Sequence, residues 1–159
     1  MGTQSYIGIP NGMVVCIDKV GDNALTGRYY HGYSKDEFTF CNEIELLNSM
    51  EDFFNKLSFP FPGNSERSFT RKKETTTRRV KKEIEKVMKD EELLSMHGEL
   101  GTFIIRVQHR QNSSWQGRIT WVEQDKTLYF RSIWEMMKLI DSAMEQFKDQ
   151  DEDNDTPQW

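Results

Sequence analysis

Apolar and polar residues alternate along six short stretches of this chain, and each set of three stretches is followed by a run in which apolar residues recur every three or four positions. Alternation marks a strand with one buried face, and the longer period marks an amphipathic helix. Strands are expected at Met13 to Val20, Ala24 to Tyr33 and Glu37 to Cys41, and again at Thr102 to Arg110, Ser114 to Glu123 and Lys126 to Arg131. The turns between them, Gly21-Asp22-Asn23, Ser34-Lys35-Asp36, Gln111-Asn112-Ser113 and Gln124-Asp125, are short, so neighbouring strands should run antiparallel. Asn42 with Glu45, and Ser132 with Glu135, have the spacing of a capping box and start the two helices. The first helix is expected to bury Ile44, Leu47, Met50, Phe54 and Leu57, and the second Ile133, Met136, Met137, Ile140, Met144 and Phe147.

Sliding the sequence by ninety residues superimposes the two sets without a gap. Val14, Val15 and Ile17 fall on Ile104, Ile105 and Val107, Gly27-Arg28 falls on Gly117-Arg118, and the capping boxes coincide. The expected fold class is therefore α+β, a duplicated βββα unit with a pseudo-twofold, antiparallel sheet with helices on one side, plus an inserted linker helix. Residues 1–57 form the first unit, 58–98 the linker and inserted helix, 99–148 the second unit, and 149–159 an acidic disordered tail. The inserted helix is expected from about Arg78 to Met96, with Gly98 ending it and a thin stripe of Val80, Ile84, Val87 and Leu94.

Unbroken alternation fixes which side chains leave the helix side of the sheet. In the second unit that free face carries Arg106, Gln108, Arg110, Gln116, Arg118, Thr120, Tyr129 and Arg131, and in the first it carries Val14, Cys16, Asp18, Thr26, Arg28, Tyr30 and Thr39. Arginine forks bind phosphate or carboxylate, and Tyr30 and Tyr129 offer rings for stacking. Two readings fit: a binding face, or arginines that solvate an open sheet and pair with nearby acids. The basic stretch with Arg71, Lys72, Lys73, Arg78 and Arg79 carries the same pair of readings, as a binding segment or a solvated linker.

Composition narrows the function. The chain of 159 residues has 36% hydrophobic and 30% charged residues and a net charge of -5, with its Asp-rich end opposing the basic linker. No apolar run is long enough to span a bilayer and the N-terminus lacks a signal core, so a soluble, cytoplasmic protein without membrane contact is expected. Met1-Gly2 fits a myristoylation start, but Tyr6 stands where Ser or Thr is needed. Cys16 and Cys41 read as unpaired thiols. His31, His97 and His109 lack metal spacing, Glu51 and Asp141 match across the repeat as a shared solvent edge, and phosphate loops and nucleophile motifs are missing. No catalytic residue, metal or cofactor is expected.

Three resemblances bear on function. Arg106 to Arg110 followed by Asn112 to Gly117 resembles the two signature pieces of PilZ domains, which bind cyclic dinucleotides, but here the pieces nearly touch instead of lying a strand apart. The segment from Gly101 to Met144, with Trp115-Gln-Gly-Arg-Ile-Thr-Trp121 and Phe130-Arg-Ser132, resembles a family of small bacterial proteins without assigned activity. A repeated meander plus helix is similar to PUR and Whirly binders of single-stranded nucleic acid, whose units have four strands where three are counted here. The leading expectation is a non-enzymatic binding or adaptor protein whose protein partner meets the arginine face. The alternative is single-stranded DNA or RNA binding through that face and the basic linker.

Overall fold

A computed structural model describes residues 11–21, 24–59, 69, 85–111 and 114–155, with side chains at 111 and 148–155 left undescribed. The chain forms β1 (Met13–Val20), β2 (Leu25–His31), β3 (Phe38–Phe40), α1 (Glu43–Leu57), α2 (Asp90–Leu94), β4 (Gly101–Gln111), β5 (Ser114–Trp121), β6 (Lys126–Phe130) and α3 (Ile133–Asp155). All six strands join one antiparallel sheet in the order β3-β2-β1-β4-β5-β6. The fold is α+β. Each meander follows from its tight turns, and the two meet edge to edge where Met13 faces Ile105, Val14 faces Ile104 and Val15 faces Phe103.

One face of the sheet packs on α1 and α3. Met13, Val15 and Ile17 of β1 and Phe103, Ile105 and Val107 of β4 share a core with Leu46, Met50, Phe53 and Phe54 of α1 and with Met136, Ile140 and Met144 of α3. The α3 stripe is the expected one. In α1 the buried arc is turned from the expected one: Ile44 is 70% exposed, while Leu46 and Phe53 are buried. Both helices start as their sequences require, since the Asn42 side chain accepts the Glu45 N–H at 2.9 Å and Ser132 Oγ accepts the Glu135 N–H at 3.0 Å. Each Glu reaches back to the N–H before the cap, Cys41 at 2.7 Å and Arg131 at 3.2 Å. Asn42→Ala and Ser132→Ala are each expected to cost about 1 kcal/mol in urea unfolding, with the slope unchanged. An unchanged midpoint in both variants would rule out the caps as contributors.

The opposite face is not free, which corrects the expectation of an open sheet with every helix on one side. Val14, Cys16, Tyr30 and Ile104 are buried there beneath Met88 and Leu93, with Leu94, Met96 and Val122 packed around them. The segment that carries this cover is fastened at both ends: the Val87 and Met88 N–H groups donate to the Gly32 carbonyl at 2.7 and 2.9 Å, and Leu100 N–H donates to the Ile17 carbonyl at 2.9 Å. The inserted helix is shorter than expected. Residues 85–89 and 95–96 are not helical and α2 is confined to Asp90–Leu94, while residues 78–84 of the expected span lie outside the described residues, as do Arg71, Lys72, Lys73, Arg78 and Arg79.

Two further differences have local causes. A β-bulge interrupts β1 between Ile17 and Lys19, and another interrupts β4 between Val107 and His109. An extra residue in one strand reverses the alternation beyond it. Val20 and Arg110 therefore turn toward the helices. At the other end α3 runs on to Asp155, through residues expected to form a disordered tail. Adding a residue to an existing helix costs little, and no breaker occurs before Pro157.

Candidate interaction surface

The second sheet face carries two comparable rows, Cys16–Arg28–Thr39 across β1, β2 and β3, and Arg106–Arg118–Tyr129 across β4, β5 and β6. In the first row Arg28 is fully engaged. Its Nε donates to Asp18 Oδ2 at 2.8 Å and its Nη2 to Asp18 Oδ1 at 3.1 Å, in a fork that also reaches the Tyr30 hydroxyl at 2.8 Å and the His97 carbonyl at 3.0 Å. Glu37 adds a second carboxylate at 3.6 Å. The hydrogen bond to Asp18 raises the Arg28 pKa. Burial alone would raise the Asp18 carboxyl, but the Arg28 fork and the Glu99 N–H outweigh it and hold it below its ordinary value. Burial beside this row pushes the Cys16 thiol up to about 12, so it is no nucleophile at neutral pH.

Ninety residues on, the counterparts of Asp18, Tyr30 and Glu37 are Gln108, Thr120 and Thr127. Arg118, ninety residues on from Arg28, thus has neither acid at the shifted positions. No ion pair to Arg118 is found among the described residues, its Nε is enclosed without a hydrogen-bond partner, and its guanidinium lies over the Tyr129 ring at 5.6 Å. Arg106 stands directly opposite Arg118 in the ladder and is only 7% exposed. Thr120 and Thr127 bond to each other at 2.8 Å beside them. Tyr129 is 69% exposed, and Arg131 extends into solvent with a loose ion pair to Glu135 at 3.5 Å.

The expected face is therefore split. Arg118 and Tyr129 come together near the β6 margin, with Arg106 buried beside Arg118, while Arg131 lies just past the end of β6 and pairs with Glu135. Gln108 and Gln116 are half-buried at the bulge. Arg28 is consumed by Asp18, and Tyr30 is buried and cannot serve as a stacking ring. Arg110 is a correction. The bulge turns it to the helix side, where it pairs with Trp115, donates from Nη1 to Asn55 Oδ1 at 2.9 Å, and lies over the Phe54 ring at 5.7 Å. The sequence carried a signal for this. Ile17 and Val20, three apart and both apolar, already break strict alternation in the first meander, and Arg110 is the ninety-shifted counterpart of Val20.

One feature escaped sequence reasoning. Between β5, β6 and α3 lies a half-open cavity of about 210 Å³ walled by Phe103, Ile119, Trp121, Leu139 and Ala143, with Leu128 among its lining residues. Among the described residues, no group of three or more His, Cys, Asp or Glu side chains is placed to hold a metal, and no helix is long and apolar enough to cross a membrane. Comparison with protein-family models, curated proteins and solved structures finds no match to this chain.

Proposed function

We propose that the chain is a non-enzymatic binding protein whose partner is a protein, held at the β6 margin by a carboxylate that pairs with Arg118 and packs against Tyr129. The observation that carries this reading is the contrast between two equivalent arginines: Arg28 has the Asp18 carboxylate at 2.8 Å, whereas Gln108 stands in the corresponding place for Arg118. A guanidinium enclosed against a ring, with an unused donor, binds a carboxylate from outside in the geometry Asp18 uses within. We further infer that the two halves are copies of one βββα unit related by a pseudo-twofold at the Val14–Ile104 pair. Matching bulges, matching ladder partners at Gly27 and Gly117, and matching helix caps support it.

Panning a random peptide library displayed on phage tests the reading. Acidic sequences should be enriched, and synthetic copies of them should bind Arg118→Ala about tenfold more weakly, with Arg118→Lys recovering only part of the loss. Enrichment without acidic residues, or equal affinity for Arg118→Ala, would sink it. A labelled single-stranded oligonucleotide titrated at two salt concentrations separates the alternative: tight binding that collapses with salt and disappears in Arg118→Ala would replace the protein partner with nucleic acid.

A further inference from the structure

The two halves fill the space between sheet and helix differently. In the first half the phenyl ring of Phe53 descends from α1 and stacks on His31 at 4.0 Å and 13°. Phe38 stacks on the same imidazole at 5.1 Å and on Tyr29 at 4.9 Å, so the space is closed by a pile of rings. Ninety residues on, His31, Phe38 and Tyr29 become Trp121, Leu128 and Ile119, and Phe53 becomes Ala143. A phenyl group has been replaced by a methyl group. The larger Trp121 does not take up the difference, since the cavity of about 210 Å³ opens at this place. Apolar cavities of about 150 Å³ hold a benzene ring. Trp121 also leaves its enclosed indole N–H without an acceptor among the described residues.

We infer that this cavity is a binding slot for one aromatic side chain, supplied by an extended segment of a protein partner that pairs with the free edge of β6. Phe53 in the first half is the template for the ring. The edge supplies the rest: β6 ends the sheet, its outer side has no strand beside it among the described residues, and Lys126 to Tyr129 are exposed. Lys126 and Leu128, two apart on β6, both line the slot. An added strand runs about 4.8 Å from β6 and turns every second side chain toward that same face, within reach of the opening. A second copy of this chain pairing through β6 would offer Leu128 at that place and no free ring, because Phe130 is already buried. The slot lies on the helix side of the sheet, so it does not depend on the Arg118 reading.

The test uses the full chain and three probes: a capped Lys-Val-Phe-Val-Lys peptide, its twin with alanine at the centre, and benzyl alcohol. Amide and indole NMR shifts are the readout. The phenylalanine peptide should move both the Trp121 indole and the β6 amides, and the alanine twin should bind about tenfold more weakly or worse. Ala143→Phe, which restores the first-half arrangement, should abolish the preference for the ring. Leu128→Ser at the exposed rim gives the same direction should the first variant fail to fold. Equal shifts from both peptides, or undiminished preference in a folded Ala143→Phe or in Leu128→Ser, would overturn the slot. Benzyl alcohol moving Trp121 while neither peptide moves β6 would overturn the strand in favour of a free aromatic compound. Self-association broken by Ala143→Phe would overturn it in favour of a second copy.

Discussion

Gly117→Ala is expected to cost about 3 kcal/mol or more, one of the two largest effects for a single added methyl group in this protein. Gly117 lies opposite Val107, where the β4 bulge brings the two backbones together. A Cβ there would stand 2.0 Å from the Arg106 carbonyl oxygen and 2.9 Å from its carbon, and those atoms belong to the central ladder, not to a flexible side chain. Gly27 is in the same position against the Cys16 carbonyl, at 1.9 Å, so Gly27→Ala should behave alike. The reason is space between two strands. Urea unfolding checks it: the midpoint should fall far below that of the parent, and a change within about 0.5 kcal/mol would show that the bulge yields.

The second large effect is acid sensitivity centred on His31. Burial, with the nearby Lys56 charge adding to it, lowers its pKa from 6.5 to about 4. Its Nδ1 accepts the Tyr33 N–H at 3.2 Å and its ring is enclosed between Phe53 and Phe38, so the neutral form is the one that fits. The unfolded chain binds the proton near the ordinary value and the folded chain does not. Stability should therefore fall as pH drops from about 6.5 to about 4, by at most about 3 kcal/mol, and the penalty from this group is complete below the lower limit. Asp18 acts in a separate window, because its lowered carboxyl withdraws stability only as pH falls below its ordinary value of 3.8. Replacing the imidazole by a phenyl ring keeps the stack and removes the titration. His31→Phe should accordingly flatten the pH profile above about pH 4, and a profile parallel to the parent would assign the acid sensitivity to other groups.

Strands and helix starts were legible in the sequence because each rests on short-range rules. Alternation set β1 as Met13 to Val20 to the residue, and the caps at Asn42 and Ser132 mark where α1 and α3 begin. What was hidden depends on groups distant in the chain. The cover over Val14, Cys16 and Tyr30 comes from Met88 and Leu93, in a stretch whose local pattern reads only as a weak helix. Arg110 was assigned to the wrong face because one extra residue at Gln108 reverses every side chain after it, and an arginine beside a bulge carries no apolar mark of its inward turn. Of the candidate site, Arg118 and Tyr129 were legible as neighbours. That Arg28 is already satisfied follows only from the geometry of its fork with Asp18. The slot beside Ala143 is written in the comparison of Phe53 with its counterpart and in neither half alone.

The meeting of β1 with β4 has a consequence for how the molecule comes apart. Five facing residue pairs join strands about ninety positions distant, whereas every other ladder is closed by a turn of a few residues. Ordering so much intervening chain falls on this one seam, and its backbone bonds are few. Met88 and Leu93 lie across it like a clasp, on side chains contributed by both strands. Whatever lifts that clasp acts on the middle of the sheet and loosens one half from the other, while the outer strands keep their own partners.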